Sequence, residues 1–274
     1  MEMDRLRYSK SGLGKVSRPQ LAAVLRASTG TITPEMAAKA LSIPQVDAAK
    51  LLARWATQGW LQRLQRGLYI AVPLESERTD SAPEDPWVVA AAAFGPCFVS
   101  GWSAAEHWDL TEQIFRTLSI STSRRVRNRE PMLGGTTFHL RTVPQSSFFG
   151  LTGIWRGRSR VQVSDASRTI VDLLADPSLG GGLRSSVDMF RVYLRSKELR
   201  NVSQIVSYAK TLGVGAVFKR LGYLLEQIAP EEQAAIAECA VSMTQGYAKL
   251  DPTLPVAQLV TGWRLWLPEH WTPQ

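Results

Sequence analysis

Between Thr33 and Tyr69 the apolar positions follow first a helical period and then a strand period. Thr33-Pro34 places a helix N-cap before the proline favoured at the first helical position, and Met36, Ala37, Ala40 and Leu41 then share one stripe. Ser42-Ile43-Pro44 interrupts this helix, because a proline disfavours helix at the residue before it yet is tolerated in the first turn of the next. A second helix is predicted from Gln45. Along it Ala48, Leu51, Leu52 and Trp55 recur at i, i+3, i+4 and i+7, which turns Val46, Lys50, Ala53, Arg54 and Thr57 to the opposite side. Gly59 ends it, and Trp60 to Leu64, Gln65-Arg66-Gly67 and Leu68 to Ile70 read as strand, turn and strand. With an earlier helix from Ser17, its expected cap, to Arg26, the order predicts a winged helix-turn-helix.

The pattern then changes. Residues Pro73 to Pro86 are polar and proline-bearing without apolar period, which sets a boundary: winged helix-turn-helix and basic arm in 1–77, a linker in 78–85, and a larger domain in 86–274. That domain is expected to be mixed α/β at first. It has a helix from Trp87 to Phe94, strands near Cys97 to Ser100, Phe115 to Ser121, Thr136 to Arg141 and Arg160 to Val163, and a helix from Ser103 to Leu110 capped by a Ser103–Glu106 box. From Arg168 onward it is mainly helical, with segments near 170–175, 184–195, 202–212, 216–227 and 231–245, and a strand-like run from Trp263 to Leu267. The fold class is α+β.

Charge sharpens the first domain. Residues 1–75 hold eleven Lys or Arg against five Asp or Glu, so +6 of the chain's formal +8 lies there. Such a balance on a winged helix points to nucleic acid. The candidate DNA-binding residues are Thr33, Gln45, Lys50, Arg54 and Thr57, with Arg63 and Arg66 on the wing, while Arg5, Arg7, Lys10, Lys15 and Arg18 read either as an arm along phosphates or as a solvated tail. Arg124, Arg125, Arg127 and Arg129, with Arg156, Arg158 and Arg160, are basic clusters outside that domain. They read either as solvated faces or as a second contact surface for nucleic acid or an acidic partner.

Other chemistries find little support. No apolar run approaches the roughly 20 residues of a membrane span and the N-terminus lacks an apolar signal centre, so a cytoplasmic chain without membrane contact is expected. Cys97 and Cys239 sit far apart in apolar sequence, as reduced buried thiols would, and His107, His139 and His270 lack metal-ligand spacing. Asp165, Asp172 and Asp176 would serve a metal-dependent nuclease only with partners from elsewhere in the fold. An N-cap and an Arg168–Asp172 surface pair explain them better. Ser11 to Ser17 fails the spacing of a phosphate loop. No enzymatic activity, metal or cofactor is expected.

Arg66-Gly67-Leu68-Tyr69 at the end of the winged helix, Ser100-Gly101-Trp102-Ser103-Ala104-Ala105-Glu106-His107-Trp108, and Val163-Ser164-Asp165-Ala166-Ser167-Arg168-Thr169-Ile170-Val171-Asp172 together resemble the AbiEi-type antitoxin and regulator family of bacteria. The Leu250-Asp251-Pro252 to Trp263-Arg264-Leu265 segment is similar to that family's C-terminus, and the resemblance spans most of the chain. It implies a transcriptional autorepressor whose winged helix binds double-stranded DNA at an operator with inverted repeats, which leaves room for a homodimer on DNA. It also implies a C-terminal domain that counters a cognate nucleotidyltransferase-type toxin, the logic of abortive infection in phage defence. The alternatives are a winged-helix regulator without a toxin partner and, third, a metal-dependent nuclease.

Overall fold

The computed structural model describes residues 14–73 and 85–272. The architecture is mixed α+β. Packing divides the chain into two units, one of Met1–Phe98, Arg116–Thr142 and Gly153–Val161, the other of Val99–Phe115, Val143–Thr152 and Gln162–Gln274. The expected linker lies outside the described residues except for Asp85, whose carboxylate accepts from Trp87 N at 2.8 Å and caps the next helix.

In the first unit the order is α1 (Ser17–Ala27), β1 (Thr31–Ile32), α2 (Pro34–Leu41), α3 (Gln45–Thr57), β2 (Leu61–Gln65) and β3 (Leu68–Ala71), which fits a winged helix-turn-helix. The prolines and the Thr33 cap set the starts of α2 and α3 as the sequence predicts. Ser17 is not a cap: Val16 occupies that position, and Ser17 is the first helical residue. Leu21, Val24, Ile32, Ala37, Ala48, Leu52, Trp55, Leu61 and Tyr69 are buried together, with Leu51 half-buried against them. Strand β1 pairs antiparallel with β3, Thr31 opposite Ile70, and gives the three-stranded order β1-β3-β2. Two residues of strand leave no readable alternation, so β1 is visible only in the fold.

The chain continues through α4 (Pro86–Phe94), β4 (Cys97–Val99), β5 (Thr117–Thr122), β6 (Met132–Leu133), β7 (Thr136–Thr142), β8 (Leu151–Arg156) and β9 (Ser159–Ser164). These strands form one six-stranded sheet in the order β6-β7-β5-β4-β9-β8. Strands β5 and β7 run parallel, with Thr117 opposite Thr137, and β4 and β9 run parallel, with Val99 opposite Val163. The α4 side of the first unit packs through an edge-to-face contact of Phe94 with Phe138, ring centroids 5.3 Å apart.

The second unit contains α5 (Gly101–His107), α6 (Ala166–Ala175), α7 (Leu183–Arg195), α8 (Val202–Leu212), α9 (Gly215–Ile228), α10 (Gln233–Ser242), and a small sheet of β10 (Ala248–Lys249), β12 (Leu265–Pro268) and β11 (Val256–Val260) in that spatial order. The expected Ser103–Glu106 capping box does not form. Gly101 takes φ 55°, a conformation open to glycine, and starts α5 two residues earlier, with Ser100 as N-cap and Ser103 buried inside the helix. Trp108 at its end donates Nε1–H to Ser164 O at 2.7 Å and takes the His107 ring edge-on at 4.7 Å, so His107 occupies a packing position.

Helix α6 is enclosed by α5, α7, α8 and α9, and every residue from Ala166 to Leu174 is buried. Its polar groups therefore meet their partners inside the protein, some by hydrogen bond and Asp172 by charge. Asp165 caps it through Arg168 N at 2.8 Å and accepts from the Tyr208 hydroxyl at 2.8 Å. Arg168, expected on the surface, is buried with Asp172, Nε lying 3.2 Å from its carboxylate. The same guanidinium donates to Ser147 O and Phe149 O at 2.9 Å each and stacks 4.0 Å over the Phe149 ring. At the other end Arg220 donates to Leu174 O at 2.7 Å, Ala175 O at 2.9 Å and Lys249 O, joining the α6 terminus to α9 and β10. Gly222 permits the Trp263 ring to lie directly on α9, where any Cβ would collide with it, and Trp263 Nε1 donates to Glu226 at 2.7 Å.

Two outcomes follow from this burial. Asp172→Ala strands a buried guanidinium and is expected to cost about 3–5 kcal/mol, whereas Asp47→Ala, which removes the exposed partner of Lys50, should cost about 1 kcal/mol or less; denaturant melts of the two variants check the contrast. Burial also pushes the Cys97 and Cys239 thiols up to about 12. Thiolate is the reactive form, so iodoacetamide should modify the folded chain at pH 8 far more slowly than the denatured chain, with the folded rate climbing only as pH rises toward that value.

Candidate nucleic-acid interface

Helix α3 is built so that one side cannot leave the core. Ala48, Leu52 and Trp55 are fully buried, and this fixes Gln45, Val46, Lys50, Ala53, Arg54 and Thr57 as exposed. Lys50 is 3.5 Å from Asp47, three residues before it, with its side chain 75% exposed. Arg54 reaches across to α1 and donates to Ser17 Oγ at 3.4 Å. Thr57 donates its hydroxyl to Ala53 O at 3.1 Å, on its own helix. Small residues at 46 and 53 leave the backbone of this face open to close approach by a groove edge.

The hairpin following α3 turns at Arg66-Gly67, with Arg63 and Arg66 exposed on it and Arg63 Nε donating to Gln65 O at 3.4 Å. Thr33 stands apart from the exposed α3 face. It is half-buried, and its hydroxyl accepts from Met36 N at 3.3 Å to cap α2. That role is worth about 1 kcal/mol to the helix start. Of the basic arm, Arg5, Arg7 and Lys10 lie outside the described residues, while Lys15 and Arg18 are exposed at the start of α1.

The basic clusters beyond the winged helix are placed by contacts that no local pattern announces. Arg158 donates to Arg26 O at 2.8 Å and Ser159 donates to Thr29 O at 2.7 Å, which fastens the β8–β9 turn to the loop joining α1 and β1. Arg156 lies 3.7 Å from Asp85 and 4.4 Å over the Trp87 ring, and Arg160 lies across Gly153. Arg124, Arg125, Arg127 and Arg129 are exposed and form no ion pair among the described residues. Their loop is held by Thr142 Oγ1 donating to Arg124 O at 3.2 Å and by Leu140 N donating to Arg129 O at 2.8 Å. All seven arginines belong to the first unit. That unit carries 21 Lys or Arg against 10 Asp or Glu, a net +11, whereas the second carries 11 against 14, a net −3.

Asp165, Asp172 and Asp176 are not brought together. Asp165 caps α6 and meets Tyr208, Asp172 meets Arg168, and Asp176 turns back to Ser178. Among the described residues no group of three or more His, Cys, Asp or Glu is placed to hold a metal ion, and no helix is long and apolar enough to cross a membrane.

A helical pair with one buried stripe, followed by a short hairpin and set in a strongly basic unit, has the form of a DNA-binding regulator. Residues 19–72 match the family model described as "Transcriptional regulator, AbiEi antitoxin". The matched span runs from α1 to the end of the hairpin, so the resemblance drawn from sequence motifs holds over that segment. No curated protein matches the chain.

Proposed function

We propose that the chain is a sequence-specific DNA-binding autorepressor that also acts as an antitoxin against a nucleotidyltransferase-type toxin encoded beside it, and that it works by binding rather than by catalysis. The observation that carries the reading is the exposed face of α3 within the segment that matches the regulator family. Gln45 at the helix start and Arg54 read base edges, Lys50 and the wing residues Arg63 and Arg66 contact phosphates, and Thr57 lines the same face. Thr33 contributes by holding α2 in place. Two copies on inverted repeats would double the interface, and residues 86–274 carry the antitoxin activity.

A duplex enriched by the full chain from a random-sequence pool provides the test. Gln45→Ala or Arg54→Ala should weaken binding to that duplex by about 1–3 kcal/mol and relax preference at one position, whereas Arg63→Ala or Arg66→Ala should weaken selected and random duplexes alike. Equal effects of all four on both duplexes would reject α3 as the reading helix. For the second activity, co-expression of the full chain with the neighbouring nucleotidyltransferase should restore growth, and Arg54→Ala should retain that rescue while losing repression of its own promoter. Absence of such a neighbour, or of rescue by the full chain, rejects the antitoxin half.

A further inference from the structure

We propose that a cavity of about 390 Å³ at the start of α7 binds a mononucleotide, with the phosphate at the helix start and the sugar hydroxyls on Asp251. The site lies wholly within the second unit, and it stands independently of the DNA-binding reading. Three segments distant in sequence enclose it: the glycine loop before α7, the turn after β10 and the residues after β12. Gly181 and Gly182 take φ 80° and 109°, values that favour glycine, and a Cβ at Gly182 would meet nothing within 4 Å. Gly182 occupies the N-cap position and no side chain caps α7, so the amide groups of its first turn have no side-chain acceptor. These donors and the positive end of a 13-residue helix favour an anion. Arg184, exposed and without an ion pair among the described residues, adds a full charge beside them.

A helix start alone selects no ligand; Asp251 does. It is only 4% exposed, yet it lines the cavity. One of its carboxylate oxygens accepts from Thr253 N at 2.8 Å and from Thr253 Oγ1 at 2.6 Å, and the other has no hydrogen-bond partner among the described residues. Arg220, whose charge acts on the same carboxylate, gives its hydrogen bonds to the Leu174, Ala175 and Lys249 carbonyls instead. A buried carboxylate oxygen left open beside a cavity calls for donors from whatever fills it. The ligand is therefore anionic at one end and bears hydroxyl or amine donors at the other. Pro268 and Trp271, the latter packed against the core, add an apolar wall that suits a flat ring. Phosphate, sugar hydroxyls and base meet these three demands together, whereas inorganic phosphate leaves Asp251 and the wall unused. Glu269, an exposed carboxylate 3.7 Å from His270, joins Asp251 in disfavouring a long polyanion. The volume falls within the roughly 300–1,000 Å³ of small-molecule sites.

The test is calorimetric titration of the full chain with the four ribonucleoside monophosphates, and with inorganic phosphate and adenosine as separate probes. At least one monophosphate should saturate at about 1 mM or below, and phosphate alone and adenosine alone should each bind at least about tenfold more weakly. Arg184→Ala should weaken the monophosphate by about tenfold or more, through loss of a charge-assisted bond. Asp251→Asn keeps an oxygen for Thr253 but loses the charge that attracts donors, so it should weaken the monophosphate and leave inorganic phosphate unchanged. Should Asp251→Asn fail to fold, Leu254→Trp serves in its place: Leu254 lines the cavity and is 40% exposed, so the larger ring fills the space without entering the core. Loss of monophosphate binding in Leu254→Trp, at the wild-type melting temperature, supports the site. No saturable binding of any monophosphate to the wild-type chain overturns the proposal. Binding that Arg184→Ala and Leu254→Trp both leave unchanged overturns it equally, since the nucleotide then sits elsewhere on the chain.

Discussion

Helix α6 is surrounded by four other helices, so none of its faces looks to water and each of its polar groups must find a partner inside the protein. That constraint explains why two arginines are buried in this unit. Arg168 answers Asp172 and at the same time holds the Ser147 and Phe149 carbonyls; Arg220 takes up the carbonyls that α6 leaves open at its C-terminus. A guanidinium suits both places, having five donors in a rigid plane and an apolar face that lies against Phe149. Asp165 ties the N-terminus to Tyr208 on α8. The packing of α7, α8 and α9 is thus organised around a helix whose ends and middle are fixed by charge-assisted hydrogen bonds rather than by apolar contact alone.

The first unit is organised on the opposite principle. Its apolar core beneath α1, α2 and α3 is small, and the outer side chains of α3 take almost no part in holding it. Lys50 and Arg63 make only exposed contacts close in sequence, and the Arg54 bond to Ser17 is long and exposed. A surface so weakly tied to stability is free to be shaped by what it binds. Concentration of positive charge in this unit, against a slightly acidic second unit, separates the attraction of a polyanion from the packing that the rest of the chain requires.

The chain's local punctuation made much of this readable. Pro34, Pro44 and Gly59 bracket α2 and α3, and the burial of Ala48, Leu52 and Trp55 follows from their spacing. Where the sequence misled, a tertiary cause is visible. Strand β8 hides because it is an edge strand whose residues are nearly all half-buried and which contains Gly153, so it has no alternation to read. Ser103 resembles a cap until Gly101 turns the chain early. The i, i+4 spacing of Arg168 and Asp172 is the same on an exposed helix and on an enclosed one; only the surrounding helices decide which it is. Exposure of the α3 face was legible, whereas the fastening of the β8–β9 turn to the α1–β1 loop depends on hydrogen bonds spanning more than a hundred residues.

Those long-range bonds have a further property. Both Arg158 and Ser159 attach to main-chain carbonyls, those of Arg26 and Thr29, and neither grips a side chain of the α1–β1 loop. Every amino acid presents the same carbonyl, so the joint is indifferent to the identity of residues 26 and 29 so long as the loop keeps its path. Mutational drift in the winged helix, including the drift by which a regulator would acquire a new target, can therefore proceed without loosening the module from the sheet that carries it. Coupling through the backbone separates the evolution of recognition from the upkeep of assembly.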